Sequence, residues 1–148
     1  MSAAHRRARR RAHAALLVAA CSAVFLSGCS WVPTAFQRTA QNAASTFSSA
    51  AETLRLEHAD PGTGQTRLTK EYAIAAFVSY REAVSGVAED LPRAAGAPDD
   101  ATVLDALVVL VRRATAIVEQ PCVEPGCDWQ TQIQELEQTR DVLLQASS

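Results

Sequence analysis

Aromatic side chains make up only 5% of this chain of 148 residues. A hydrophobic core must therefore be built mainly from Ala, Leu and Val. Glycine and proline number six each, too few for a collagen-like or a low-complexity disordered chain. The formal net charge of −2 excludes the strongly basic balance that is typical of nucleic-acid binders. A chain of this length predicts one domain.

Histidine is also scarce, and beyond residue 13 the chain contains only His58. A di-iron bundle requires two Glu-x-x-His motifs, and c-type haem requires C-x-x-C-H; neither pattern is present. A Ser-His-Asp or Cys-His catalytic arrangement would have to use His58. Its position near a predicted helix end instead favours a solvent-facing side chain that interacts with the helix dipole. We therefore expect no enzyme, no cofactor and no metal site.

The first 26 residues form two unlike segments. Residues 1–13 contain five arginines and no acidic residue: Arg6, Arg7, Arg9, Arg10 and Arg11. Ala14 to Leu26 then gives thirteen residues without a charge. A basic segment followed by an apolar segment of this length is typical of an export signal. The apolar segment is shorter than the roughly 20 residues that span a bilayer.

The apolar segment ends in Leu26-Ser27-Gly28-Cys29. This order resembles the lipobox of bacterial lipoprotein precursors. The resemblance implies cleavage after Gly28, a diacylglycerol on the Cys29 sulfur and usually acylation of the new amino group. It also implies a protein anchored in the cell membrane or outer membrane, on the extracytoplasmic side. An uncleaved membrane anchor, extending from Ala12 to Val32, is the alternative.

The chain from Cys29 onwards has a different charge from the whole sequence. It has 120 residues, with nine basic and sixteen acidic side chains, which gives a net charge of −7. This charge disfavours binding to nucleic acid or to anionic lipid headgroups. The lipobox resemblance implies contact with the membrane through the lipid on Cys29, and we also expect a protein partner in the cell envelope.

Two cysteines remain for the exported domain, Cys122 and Cys127, separated by Val-Glu-Pro-Gly. A pair of cysteines in an exported domain predicts a disulfide. The alternative is a redox-active pair, which usually has C-x-x-C spacing at a helix N-terminus. A two-cysteine metal site lacks further ligands nearby in the sequence, because His58 is distant.

Hydrophobic periodicity predicts an all-α fold, an up-down four-helix bundle after a cleaved signal peptide. Residues 1–28 are the signal, 29–33 the lipidated tether and 34–148 the bundle. The predicted helices are 34–59, 69–91, 99–120 and 128–146. The first has a capping box at Thr34 and Gln37, and N-caps are expected at Asp99 and Asp128.

Two of these helices carry more specific expectations. Ile74 and Val78 should widen the buried face of the second helix. The third helix is apolar on nearly every side from Thr102 to Val111, so it should be the most buried of the four.

The sequence favours a non-catalytic lipoprotein with a protein-interaction or envelope-structural role. The alternative function is a bundle that binds a small molecule or an ion. Its pocket would lie near two tyrosines and the acidic pairs at the third helix: Tyr72, Tyr80, Glu89/Asp90 and Asp99/Asp100.

Overall fold

The computed structural model describes residues 32–148, which are helical with no β-strand in that range. The all-α class is confirmed. The predicted signal segment and Cys29 lie outside the described residues. The helices are α1 (Ala35–Glu57), α2 (Lys70–Val84), the single turn α3 (Val87–Asp90), α4 (Ala101–Glu119) and α5 (Trp129–Ala146). Short 3₁₀ turns occupy Pro61–Thr63 and Leu91–Arg93.

Local capping chemistry fixes where the long helices begin. Thr34 and Gln37 form the reciprocal capping box at the start of α1, as the sequence predicts. Asp128 caps α5 by accepting from the Thr131 backbone N–H. The N-cap of α4 is Asp100, not Asp99, since the Asp100 carboxylate accepts from the first free N–H groups of that helix.

The second predicted helix is not continuous. It breaks after Val84, because Gly86 adopts a left-handed conformation with φ of 77°. Glycine reaches this region without the steric cost that a Cβ imposes. The helix then resumes as α3. Val87 and Leu91 follow Val84 at steps of three and four residues, the spacing of one helix face, and both are buried.

Helix α1 lies deepest in the molecule and packs most extensively against α5, then against α2. Helix α4 packs against α5 and α2. Arg55 joins α1 to α5 through Glu137, with 2.7 Å between the charged groups. The pKa of Arg55 is raised because Glu137 and Glu52 both accept hydrogen bonds from its guanidinium group. The buried residues of α1 are Phe36, Ala40, Ala43, Ala44, Phe47, Ala50, Ala51, Thr53, Leu54 and Glu57.

Helix α4 is not the most buried helix, so that prediction is wrong. Although nearly all its faces are apolar, only one stripe faces other helices, and Val103 and Val109 are about half exposed. Ile74 and Val78 on α2 are also about half exposed, so they do not widen the buried face. Within residues 32–148, no helix is both long enough and apolar enough to cross a membrane.

Phe47→Ala should lower the free energy of unfolding by about 3–5 kcal/mol, because it removes a fully buried ring and leaves a cavity in the core. Urea denaturation followed by circular dichroism measures this loss. Val109→Ala is the matched control, since Val109 is 47% exposed and its truncation should change stability by about 0.5 kcal/mol or less. Equal losses for the two variants would contradict the assigned core.

A histidine–cysteine cluster as the candidate functional site

The C-terminal end of α1 meets the connection between α4 and α5. In this connection Cys122 and Cys127 form a disulfide with their Cα atoms 5.8 Å apart, within the range that such bonds require. The predicted disulfide is therefore present, and it closes a loop at one end of the helices.

His58 lies beside this disulfide. It is the C-cap residue of α1, and its ring stacks on Trp129 with centroids 4.9 Å apart and planes 6° from parallel. Only 13% of its side chain is exposed. The expectation of a solvent-facing histidine is wrong, because the first residue of α5 covers the ring.

The Nε2 atom of His58 faces two oxygen atoms. It lies 2.8 Å from the backbone oxygen of Cys122 and 2.9 Å from Oε2 of Glu57. A carbonyl oxygen can only accept, so Nε2 carries a proton and donates it to Cys122. Because this N–H points at the Cys122 oxygen, it does not form a well-aligned hydrogen bond to Glu57. Oε2 of Glu57 therefore has no hydrogen-bond partner among the described residues.

Glu57 is an unusual residue for the end of a helix, because its side chain is only 6% exposed. Arg67 covers it by donating from Nε to the Glu57 backbone oxygen at 2.7 Å. The Arg67 Nη2 atom lies 3.9 Å from the other carboxylate oxygen, at the limit of an ion pair. The carboxylate is therefore buried with incomplete compensation of its charge.

The cluster brings together three side chains with metal-ligating atoms. A ring nitrogen of His58 and the sulfur atoms of Cys122 and Cys127 all lie within 4.8 Å of one another. His58 is distant from the cysteines in the sequence but not in the fold, so the expectation that it is too far away for a shared site is wrong. What brings them together is the contact between the C-terminal end of α1 and the connection that leads into α5, 64 residues further along the chain.

An open cleft of about 440 Å³ lies beside the disulfide. Gln132 forms part of its wall and fixes the connection, since its side chain accepts from the Cys122 N–H at 2.8 Å and donates to the Gln120 oxygen at 3.3 Å. Asp128 also lines the cleft. Its pKa is lowered because the Thr131 side chain and backbone N–H both donate to its carboxylate. The cleft therefore has fixed polar walls beside the cysteines.

The residues of the alternative pocket have other contacts. Tyr72 is 63% exposed, whereas the Tyr80 hydroxyl lies 3.0 Å from the Thr53 hydroxyl. They are eight residues apart on α2, about 12 Å along the helix axis. Glu89 faces Arg112 at 3.7 Å, and Asp100 is a helix cap. Tyr80 and Asp100 therefore have structural partners, whereas Glu89 and Arg112 form an exposed ion pair.

Comparison with known proteins gives no relative from which a role could be transferred. No family model, no curated protein and no solved structure matches the chain.

His58→Ala should lower the free energy of unfolding by about 1–2 kcal/mol, since it removes a ring stack and a hydrogen bond to the Cys122 carbonyl. His58→Phe is the matched control: it keeps a flat ring against Trp129 and loses only the hydrogen bond. It should recover part of the lost stability in urea denaturation. Identical stability of His58→Ala and the parent would show that the stack does not hold α1 against α5.

Proposed function

We propose that this protein is a membrane-anchored extracytoplasmic lipoprotein whose helical domain has a non-catalytic, protein-interaction or envelope-structural role. The observation that carries the proposal is the succession of three segments at the start of the sequence. A basic segment is followed by an uncharged segment and then by Leu26-Ser27-Gly28-Cys29. The disulfide supports export, because such bonds persist in oxidising compartments.

The proposed arrangement of the domain is an up-down four-helix bundle. Its support is the pairing of the long helices, which pack in the ring α1–α2, α2–α4, α4–α5 and α5–α1. This pairing is the one that successive antiparallel helices produce. The disulfide would then join the adjoining ends of α4 and α5.

The proposed anchor would tether the domain through the N-terminal end of α1. Ser30 to Pro33 extend at most about 14 Å, so the N-terminal end of α1 stays near the lipid. Trp31 would lie at the headgroup layer. With 23 residues, α1 is about 35 Å long, so the His58 cluster lies about 35 Å along the helix from its tethered N-terminal end.

The protein-interaction role is supported by apolar side chains that remain in solvent. Ile74 and Val78 are 45% and 49% exposed and lie one helical turn apart on α2. Their solvation is unfavourable, and a partner that covered both would recover that free energy. The proposed contact face is this pair of residues.

Cys29→Ala should abolish incorporation of a labelled fatty acid and release the protein from the membrane fraction. Metabolic labelling, fractionation and intact mass measure these changes. Cys21→Ala is the matched control, because Cys21 lies in the predicted signal and its loss should leave labelling and anchorage unchanged. If Cys29→Ala stayed in the membrane at the same mass as the parent, an uncleaved anchor would replace the lipoprotein proposal.

A photo-crosslinking residue at position 74 or 78 should form one discrete adduct in native membranes, because a partner on this face would lie within reach. The matched control is position 79, which is exposed but is turned away from Ile74 and Val78 on the helix. Mass spectrometry of the adduct identifies the partner. Equal adducts from positions 74 and 79, or no adduct from positions 74 and 78, would count against this face.

A further inference from the structure

We propose that reduction of the Cys122–Cys127 disulfide opens a binding site for a zinc-class divalent cation at the end of α1. The ligands are one ring nitrogen of His58 and the sulfur atoms of Cys122 and Cys127, with the Glu57 carboxylate beside the ring. This site is independent of the proposed lipid anchor, since none of its ligands takes part in anchorage.

The first observation is the convergence of the donor atoms. His58 is 64 residues from Cys122 in the chain, yet its ring nitrogen lies within 4.8 Å of both sulfurs. In a tetrahedral zinc site with bonds of about 2.0–2.3 Å, neighbouring donors are about 3.3–3.8 Å apart. The distance of at most 4.8 Å between the His58 nitrogen and each sulfur therefore requires a shift of at most about 1.5 Å. The two sulfurs separate once their bond is broken.

The second, independent observation is the Glu57 carboxylate. It is more than nine-tenths buried, and its Oε2 atom lies 2.9 Å from His58 Nε2 but has no hydrogen-bond partner within residues 32–148. Metal-bound histidines commonly donate their other ring N–H to a backbone carbonyl or a carboxylate, which orients the ring and raises its basicity. Nε2 of His58 donates to the Cys122 carbonyl and has the Glu57 carboxylate beside it, which leaves Nδ1 as the nitrogen that would bind the cation. A cation on His58 would also compensate the buried negative charge.

The donor set selects the cation class. Thiolate and imidazole suit zinc, whereas magnesium and calcium prefer oxygen ligands. A disulfide lacks thiolates, so the structure, in which Cys122 and Cys127 are bonded, shows the closed form of the site.

Opening the site needs a two-electron reductant of the dithiol or phosphine class. A dithiol transfers two electrons and two protons, the bond between the two sulfurs breaks, two thiols form, and the dithiol becomes a disulfide. A phosphine with water gives the same two thiols and becomes a phosphine oxide. Binding of the cation then displaces one proton from each thiol.

The structure holds the rest of the connection while the cysteines change state. Gln132 fixes the Cys122 N–H at 2.8 Å, and the Trp129 N–H donates to the Cys127 oxygen at 3.1 Å. Gly126 has a φ of 85°, so the turn between the cysteines already uses a conformation that glycine adopts freely. Both ligand-bearing ends of the loop therefore stay near His58 when the sulfur–sulfur bond opens.

The test uses the full chain in detergent, with Cys21→Ala and Cys29→Ala so that its remaining cysteines are Cys122 and Cys127. After reduction by a phosphine, it should bind one zinc ion per chain in competition with a chromogenic chelator. The oxidised protein should bind none. Cobalt added to the reduced protein should give the sulfur-to-metal charge-transfer and d–d absorption of a tetrahedral thiolate site. Equal zinc binding before and after reduction would overturn the proposal.

Two variants distinguish a built site from a pair of free thiols. His58→Phe keeps a ring against Trp129 but removes the nitrogen ligand, so zinc affinity should fall by more than the roughly 10–100-fold that loss of an outer partner costs. Glu57→Gln should weaken zinc by about 10–100-fold. Glu124→Gln, in the same loop but paired with Lys70, is the matched control and should bind as the parent does. Parent affinity in both His58→Phe and Glu57→Gln would overturn the proposal.

Discussion

Burial of small side chains along α1 is the constraint on which the rest of the structure depends. With 5% aromatic residues, the chain cannot fill a wide core with large rings. Instead, five alanines of α1 are at most 2% exposed: Ala40, Ala43, Ala44, Ala50 and Ala51. Because a methyl group occupies little space, α5 and α2 can approach the α1 backbone closely, and Phe36 and Phe47 fill the remaining volume. This packing also fixes where α1 ends, and so fixes Glu57 and His58.

Features that depend on neighbours in the sequence could be predicted. The caps at Thr34 and Asp128 form as their chemistry predicts. The apolar residues that recur at steps of four and three along α1 are all buried: Phe36, Ala40, Ala43, Phe47, Ala50 and Leu54. Two predictions were wrong because a hydrophobic pattern does not determine the feature in question: the continuity of the second helix and the burial of α4. An apolar period continues across Gly86 whether or not the backbone breaks there. The composition of α4 shows how apolar its faces are, but not how many of them another helix covers.

The candidate site could be predicted only in part, for the same reason. The disulfide is a local feature, since Cys122 and Cys127 are five residues apart. The environment of His58 is not local: read by itself, a histidine at a helix C-terminus is favoured by the helix dipole and by water. Its actual neighbours, Trp129 and the Cys122 carbonyl, come from the far end of the chain. Only the pairing of helix ends could have joined them.

Glu57 is the residue that packing alone does not explain. Replacing a buried ion pair by apolar groups of similar size is often neutral or stabilising, so stability gives little reason for a carboxylate that is 6% exposed. Arg67 compensates it from 3.9 Å with a side chain that is itself 54% exposed, which solvent screening weakens. A cation held by His58 and two thiolates would give this charge a close partner. The same carboxylate would favour the open site over the disulfide whenever both a reductant and the cation are present.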